Sequence, residues 1–350
     1  MLYVGVDQHK KFSQAAVVDE TGAVVDMRRL YHNDKDEMRR YFRRWGQEAI
    51  VVLEATRNWY WLYDLLEEEV KEVKLCHPAK VRLIAEAKVK TDKIDATVLA
   101  QLVRTGYLPE SYVPPQEIRE SRELHRFRIT VVRLQTRLKN RVHTVLDKLG
   151  IEHPWADLFG KKGREFLCSL KLPRVYQLEL DTCLRLLDKV GEELKLMRKE
   201  IMAALSADSR SELLMSIPGV AELSAYLILY EVGEISRFAS ARKFASYCAL
   251  TPSTHQSAER LWHGHIGKRG NLYLKWTLIE ASHVAVRKDP ALEAIYKCKS
   301  RAKGKGKAIV TVANKLSKAV YHILRSGQRY RYNHLTKRHL GKPLVVLGRR

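Results

Sequence analysis

Over the first hundred positions the apolar residues come in short blocks, each closed by a polar or charged residue. Leu2-Tyr3-Val4-Gly5-Val6 ends on Asp7, and Ala49-Ile50-Val51-Val52-Leu53 ends on Glu54. Blocks of that length read as buried strands. A polar stop over 8–11 precedes a second run over 14–19; a turn falls at Thr21-Gly22, and a run over 23–27 completes an antiparallel meander. Helix-spaced apolar residues follow over 34–45 and 57–69, with a short strand between 73 and 76. Two further helical segments begin near Ala79 and at Asp92, and Gly106 and Pro109 end the pattern.

Three strands, a helix, a strand, a helix, a strand and helices is the order of an α/β ribonuclease-H-like domain. An apolar strand has little use for a carboxylate at its tip unless something outside satisfies it. In a sheet, Asp7 and Glu54 would sit on neighbouring strands about 5 Å apart. Asp92 and Asp95 are three residues apart, so they share a helix face. The plain reading of that pair is a helix start stabilised by the dipole. The sharper one is a four-acid pocket whose repulsion divalent cations relieve, with magnesium suited to oxygen ligands and phosphodiester chemistry.

Beyond this domain (1–108) a proline-rich connector opens a helical region over 109–206. Leu124, Phe127, Val131, Leu134, Leu138, Val142, Val145 and Leu149 step by threes and fours, close to a heptad repeat. Leu180, Leu184, Leu187, Val190, Leu194, Met197, Ile201 and Leu205 form a second stripe. Residues 119–148 hold nine Lys/Arg against three acids, so the face opposite the first stripe is basic. An internal helical hairpin and a dimerising coiled coil both fit. The remainder, 207–350, reads as a mostly α domain. In it Ser216-Ile217-Pro218-Gly219-Val220 resembles the turn of a helix-hairpin-helix. A small-residue helix over 244–250 runs into a polar loop, and 301–307 reads as a flexible basic loop with a loosely ordered basic tail from Arg325.

Charge then narrows the function. Sixty-three Lys+Arg against 40 Asp+Glu leave a net charge of +23. From Ala294 to Arg350 there are 16 Lys/Arg and no acid. Such an excess attracts polyanions through counterion release, which makes nucleic acid the expected partner. The residues expected to meet it are Arg126, Arg133 and Arg137 on the first long helix, Lys268 and Arg269 between glycines, and Arg301, Lys303, Lys305 and Lys307. No run reaches the ~18 apolar residues of a membrane span, and no signal peptide precedes Tyr3, so a cytoplasmic location is expected and no membrane partner. Five scattered cysteines lack CxxC spacing, which argues against both a disulfide framework and a zinc site.

Tyr3-Val4-Gly5-Val6-Asp7, Leu53-Glu54-Ala55-Thr56 and Lys90-Thr91-Asp92-Lys93-Ile94-Asp95-Ala96 together resemble the signature of the DEDD transposases of the insertion sequence 110 family. The resemblance extends in order along nearly the whole chain. It implies a RuvC-like domain, a helical linker that joins subunits into a homodimer or larger homo-oligomer, and a serine-bearing second domain. By position after Leu250-Thr251-Pro252, the serine is Ser257. The resemblance implies that Ser257 attacks a phosphodiester, giving a covalent serine–DNA intermediate, with Mg2+ held at Asp7, Glu54, Asp92 and Asp95. It also implies a noncoding guide (bridge) RNA that pairs with donor and target DNA, in a prokaryotic, nucleoid-associated setting. The sequence departs from the family pattern at Arg57-Asn58, Ala258 and Gly267, none of which removes an acid or the hydroxyl. Two rival readings are a RuvC-like junction nuclease using metal alone, and a non-catalytic nucleic-acid-binding protein whose acids only cap elements.

Overall fold

The computed structural model describes residues 1–84, 91–257, 260–267 and 270–331; the side chains of 254–261 and 263 lie outside that description. Two compact units result, 1–114 and 115–350.

In the first unit the meander forms as β1 (Leu2–Gln8), β2 (Phe12–Val18) and β3 (Val24–Tyr31), followed by α1 (Lys35–Arg43). Next come β4 (Ala49–Glu54), α2 (Trp59–Glu67), β5 (Glu72–Cys76), α3 (Pro78–Ile84), α4 (Asp92–Arg104) and the two-residue β6 (Glu110–Ser111). The sheet runs β3-β2-β1-β4-β5-β6. Within it β1, β4 and β5 are parallel, while β2, β3 and β6 are antiparallel to their neighbours. This mixed sheet fits the ribonuclease-H-like expectation.

Alternation assigns each strand residue to a face. Val4, Val6, Val51, Leu53 and Leu75 pack with Met38 and Phe42 of α1 and Leu62 and Leu66 of α2. Val52 and Cys76 pack on the other face with Leu99, Leu102 and Val103 of α4, joined by Tyr3 and Ile50. Counting by twos from Tyr3 and Ile50 puts Gly5 and Asp7, and likewise Glu54, on the α4 face. Gly5 is what lets α4 lie directly on the strand. A Cβ there would stand 1.9 Å from the Ala96 carbonyl oxygen and 2.6 Å from the Ala100 amide nitrogen.

The second unit begins with two 33-residue helices, α5 (Gln116–Lys148) and α7 (Arg174–Ser206), linked through α6 (Lys161–Ser169). Val142 and Leu146 pack with Leu180, Leu184 and Leu187, while Ile129 shares a core with Ile201 and Leu205. The start of one helix thus meets the end of the other, an antiparallel hairpin within one chain. Phe127 and Leu134 from the first stripe remain exposed. After it come α8 (Arg210–Met215), α9 (Glu222–Val232), α10 (Ala241–Tyr247), β7 (Pro252–Ser257), β8 (Arg260–Ile266), α11 (Leu272–Lys288), α12 (Pro290–Lys303) and α13 (Lys305–Ser326). The Pro218-Gly219 turn joins α8 to α9, and Gly219, at φ +89°, would place a Cβ 2.3 Å from the Ala281 carbonyl of α11.

Two expectations are corrected. The polar segment after Leu250 is an antiparallel hairpin, β7–β8, rather than a loop. Residues 301–307 are not a flexible loop: α12 continues to Lys303 and α13 starts at Lys305, with Gly304 at φ +83° as the only break. Lys and Arg are good helix formers, so the basic run extends the helices up to the one residue free to turn. Among the described residues no helix is long and apolar enough to cross a membrane.

Candidate functional site

Asp7 and Glu54 stand at the carboxyl ends of the parallel strands β1 and β4, whose register pairs Val6 with Leu53. Thr91 caps α4, its hydroxyl accepting from the Ile94 amide at 3.3 Å, so Asp92 and Asp95 both fall in the first helical turn. Because Gly5 lets α4 press on β1, that first turn arrives beside Asp7. Asp95 and Asp92 act on Asp7 as like charges. Burial chiefly, and then these two acids, raise the Asp7 carboxyl above its ordinary value, against the lowering effect of His9.

In the sequence His9 is one residue of a polar stop, yet in the fold it lies inside the cluster. Its Nε2 is 3.1 Å from Asp7 Oδ2 and 3.3 Å from Asp92 Oδ1. His9 lies one residue past β1, where its amide donates to the Phe12 carbonyl at 2.9 Å and closes the turn into β2, so the turn rather than the strand period brings its ring to Asp7. The His9 ring packs 4.6 Å from the Phe12 ring, and the Arg29 guanidinium, 4.2 Å over Phe12, reaches Asp92 at 3.5 Å. Asp7, His9 and Asp92 each offer a donor atom within 4.8 Å of the others, a spacing at which one cation can be shared. Crowded carboxylates, one of them raised, with a single imidazole among them, fit a divalent cation.

The second unit treats its predicted residues differently. Ser257 is the last residue of β7, in register with Arg260 across the hairpin. Lys268 and Arg269 lie outside the described residues. Arg126 is drawn inward rather than towards a polyanion. It donates to both carboxylate oxygens of Glu231, at 2.7 and 2.8 Å, and its guanidinium sits 5.0 Å over the Tyr273 ring. Glu231 is only 2% exposed and accepts also from Asn271 Nδ2 at 2.7 Å, so the arginine neutralises a buried acid. Arg133 and Arg137 are exposed on α5, as are Arg301, Lys303, Lys305 and Lys307 around Gly304. The buried Glu231–Asn271 contact was illegible in the sequence, since its partners are 40 residues apart. It braces the base of the hairpin. Asn271 caps α11 just beyond β8, while Asn314 holds the Leu250 carbonyl just before β7 at 3.0 Å.

Comparison with known proteins places this geometry. A family model for DEDD transposases of IS110 elements matches residues 4–151, spanning all four acids. A second, described as transposase of the IS116/IS110/IS902 family, matches residues 211–297, spanning Ser257. A Pseudomonas aeruginosa protein named "Probable family 20 transposase" is 28% identical over 303 residues, 81% of this chain and 84% of that one. The transposase for insertion sequence element IS1111A of Coxiella burnetii is 24% identical over 347 residues, 94% of this chain and 91% of its own. The transposase for element IS1328 of Yersinia enterocolitica is 25% identical over 245 residues, 69% of this chain and 72% of its own. Acids gathered at the strand ends of a mixed sheet, within a span matched by that model, define the class as a DEDD transposase. The chain belongs to the IS110 family of insertion-sequence transposases.

Proposed function

We propose that this transposase cuts and rejoins DNA through Ser257, assisted by Mg2+ at Asp7, Glu54, Asp92 and Asp95. The observation that carries the reading is the convergence of Asp7, Asp92 and His9 on one spot of a chain in this family. A bound divalent cation would supply Lewis-acid stabilisation of charge on a phosphodiester oxygen. The chain's own residues do the rest. Asp7 and Glu54 are fixed by the strands, and Asp92 and Asp95 by the α4 turn, so the acids need little reorganisation. His9 and Arg29 limit the repulsion among them until a cation is taken up. The Ser257 Oγ forms a bond to phosphorus as one backbone P–O bond breaks. The hydroxyl proton leaves, and the departing deoxyribose oxygen takes one up. Attack by an incoming strand hydroxyl reverses the step and regenerates the serine, so the ester conserves bond energy and no ATP is needed.

In this reading a noncoding guide RNA pairs with donor and target, the RuvC-like unit carries the metal, and the long helices join subunits in a homo-oligomer. The exposed Phe127 and Leu134 support that last role, and the net charge of +23 supports the first. The protein would work in the cytoplasm of a prokaryotic cell, at the nucleoid. The decisive experiment incubates wild type and Ser257→Ala with end-labelled element DNA, Mg2+ and the RNA transcribed from the element's flank, then denatures. Label should stay on the wild type and not on the variant. Strand exchange by a wild type that never retains label would transfer the chemistry to a metal-only nuclease.

A further inference from the structure

A cavity of about 680 Å³ in the second unit lies among α5, α9 and α11, and Arg133 and Tyr273, discussed above, are part of its lining. Its size is that of a small-ligand site. Arg128 and Arg133 line it from α5, Ser224 from the first turn of α9, and Tyr273, Trp276 and Thr277 from α11; no acid lines it among the described residues. Trp276 is 54% exposed, an indole left in water at the mouth of a basic concavity.

Two further observations point to a polar ligand. His125 and Thr277, 5% and 2% exposed, line the same cavity, and the His125 Nδ1 and Thr277 Oγ1 have no hydrogen-bond partner among the described residues. The Arg128 Nε is in the same condition. Buried polar atoms are nearly always satisfied, so three unsatisfied ones around one cavity mark a place where an outside group belongs. The 11-residue α9 begins at the rim with Ala221 at its N-cap, which gives no side-chain cap, and its first amides point at whatever lies beyond.

We propose that this cavity receives one unstacked nucleotide of a single-stranded nucleic acid, the base against Trp276 and a backbone phosphate at Arg128, Arg133 and the α9 N-terminus. Aromatic rings and guanidinium planes are the usual platform for a splayed base, and paired arginines suit the phosphate beside it. Burial, and then Arg128, push the His125 imidazole down to about 4, so at neutral pH the ring is uncharged and has both a donor and an acceptor nitrogen for a base edge. An apolar protein segment fits poorly, because it would strip water from two guanidinium groups and pair neither. RNA and DNA share the chemistry invoked, and the measurement separates them.

The test is equilibrium binding of fluorescent single strands of ~12 nucleotides to the full chain, in chelator and without cleavage, so it stands apart from the serine reading. Mixed-sequence and abasic strands are compared, each with a ribose and a deoxyribose backbone. Trp276→Ala should weaken mixed-sequence binding about tenfold, in line with the loss of one stacked base, and leave abasic binding unchanged. Trp276→Phe should restore most of the affinity. Arg133→Ala should weaken both kinds of strand and reduce the salt slope by about 0.7, one phosphate contact. An effect confined to one backbone names the source of the nucleotide. Equal losses on mixed and abasic strands with Trp276→Ala, or no loss on either, overturn the proposal; thermal unfolding of each variant shows that the fold is intact.

Discussion

Two acids of the first unit are both largely buried and titrate in opposite directions. Glu69 is 6% exposed and accepts hydrogen bonds from Arg43 at 2.8 and 3.0 Å and from Arg39 at 3.0 Å. Those bonds, the Arg43 one first, hold its carboxyl below the ordinary range. The Asp7 side chain, 18% exposed, faces Asp92 and Asp95 with one imidazole between, and burial pushes its carboxyl up. Around Glu69 the chain supplies its own counter-charge, and the acid is finished as a structural element. Around Asp7 the chain gathers two more acids and sets only His9 and the Arg29 guanidinium beside them. Acids crowded together in this way, with a raised carboxyl among them, are where function concentrates.

The contrast can be broken first at Asp7. Asp7→Asn should lower strand exchange by on the order of 10²–10³, the scale for losing one electrostatic stabiliser. Mg2+ should raise the melting temperature of the wild type, because a cation that binds only the folded state stabilises it by mass action, and Asp7→Asn should abolish that rise. Retained activity, or an undiminished Mg2+ shift, would show that the cluster is as self-contained as Glu69. Next in size is Gly5→Val, which drives a side chain into the α4 backbone. It should cost about 3 kcal/mol in denaturant unfolding, the upper end for overpacking, and remove the Mg2+ response as α4 shifts. Wild-type stability in that variant would mean that α4 is not pinned through Gly5.

The smallest effect tests the other acid. The Glu69 carboxyl titrates below its unfolded value near 4.5, so its stabilising effect is present above that value and lost as pH falls through the folded one. Glu69→Gln should therefore melt a few degrees below wild type near neutral pH, and the two curves should converge in strong acid. A gap that stays constant with pH would assign the loss to packing rather than charge.

The acids were legible in the sequence because a strand that ends in a carboxylate breaks a simple period, and Asp92-x-x-Asp95 sits on the helical one. The Gly5 contact is tertiary, and no local pattern announces it. His9 escaped because its neighbours Gln8, Lys10 and Lys11 made it look like part of a polar stop. The hairpin escaped because Pro252-Ser253-Thr254-His255-Gln256-Ser257 alternates no apolar residue, and its pairing depends on the strand that follows. Arg126 looked like one charge of a basic face, and only a carboxylate 105 positions away turns it inward. Local period is written along the chain; the pairing of distant charges is not.

Gly5 also sets limits on anyone wishing to harden this enzyme. The standard remedy of exchanging glycine for alanine gains stability by narrowing the unfolded ensemble, wherever the added methyl has room. Gly191, inside α7, has nothing within 4 Å of where that methyl would go, and Gly191→Ala should gain about 0.5–1 kcal/mol. At Gly5 the same exchange would drive the methyl into α4 and move Asp92 and Asp95 away from Asp7 as it did so. In this fold the spacing of a reactive cluster is stored as a missing carbon atom, and a search that ranks substitutions by rigidity alone would erase it.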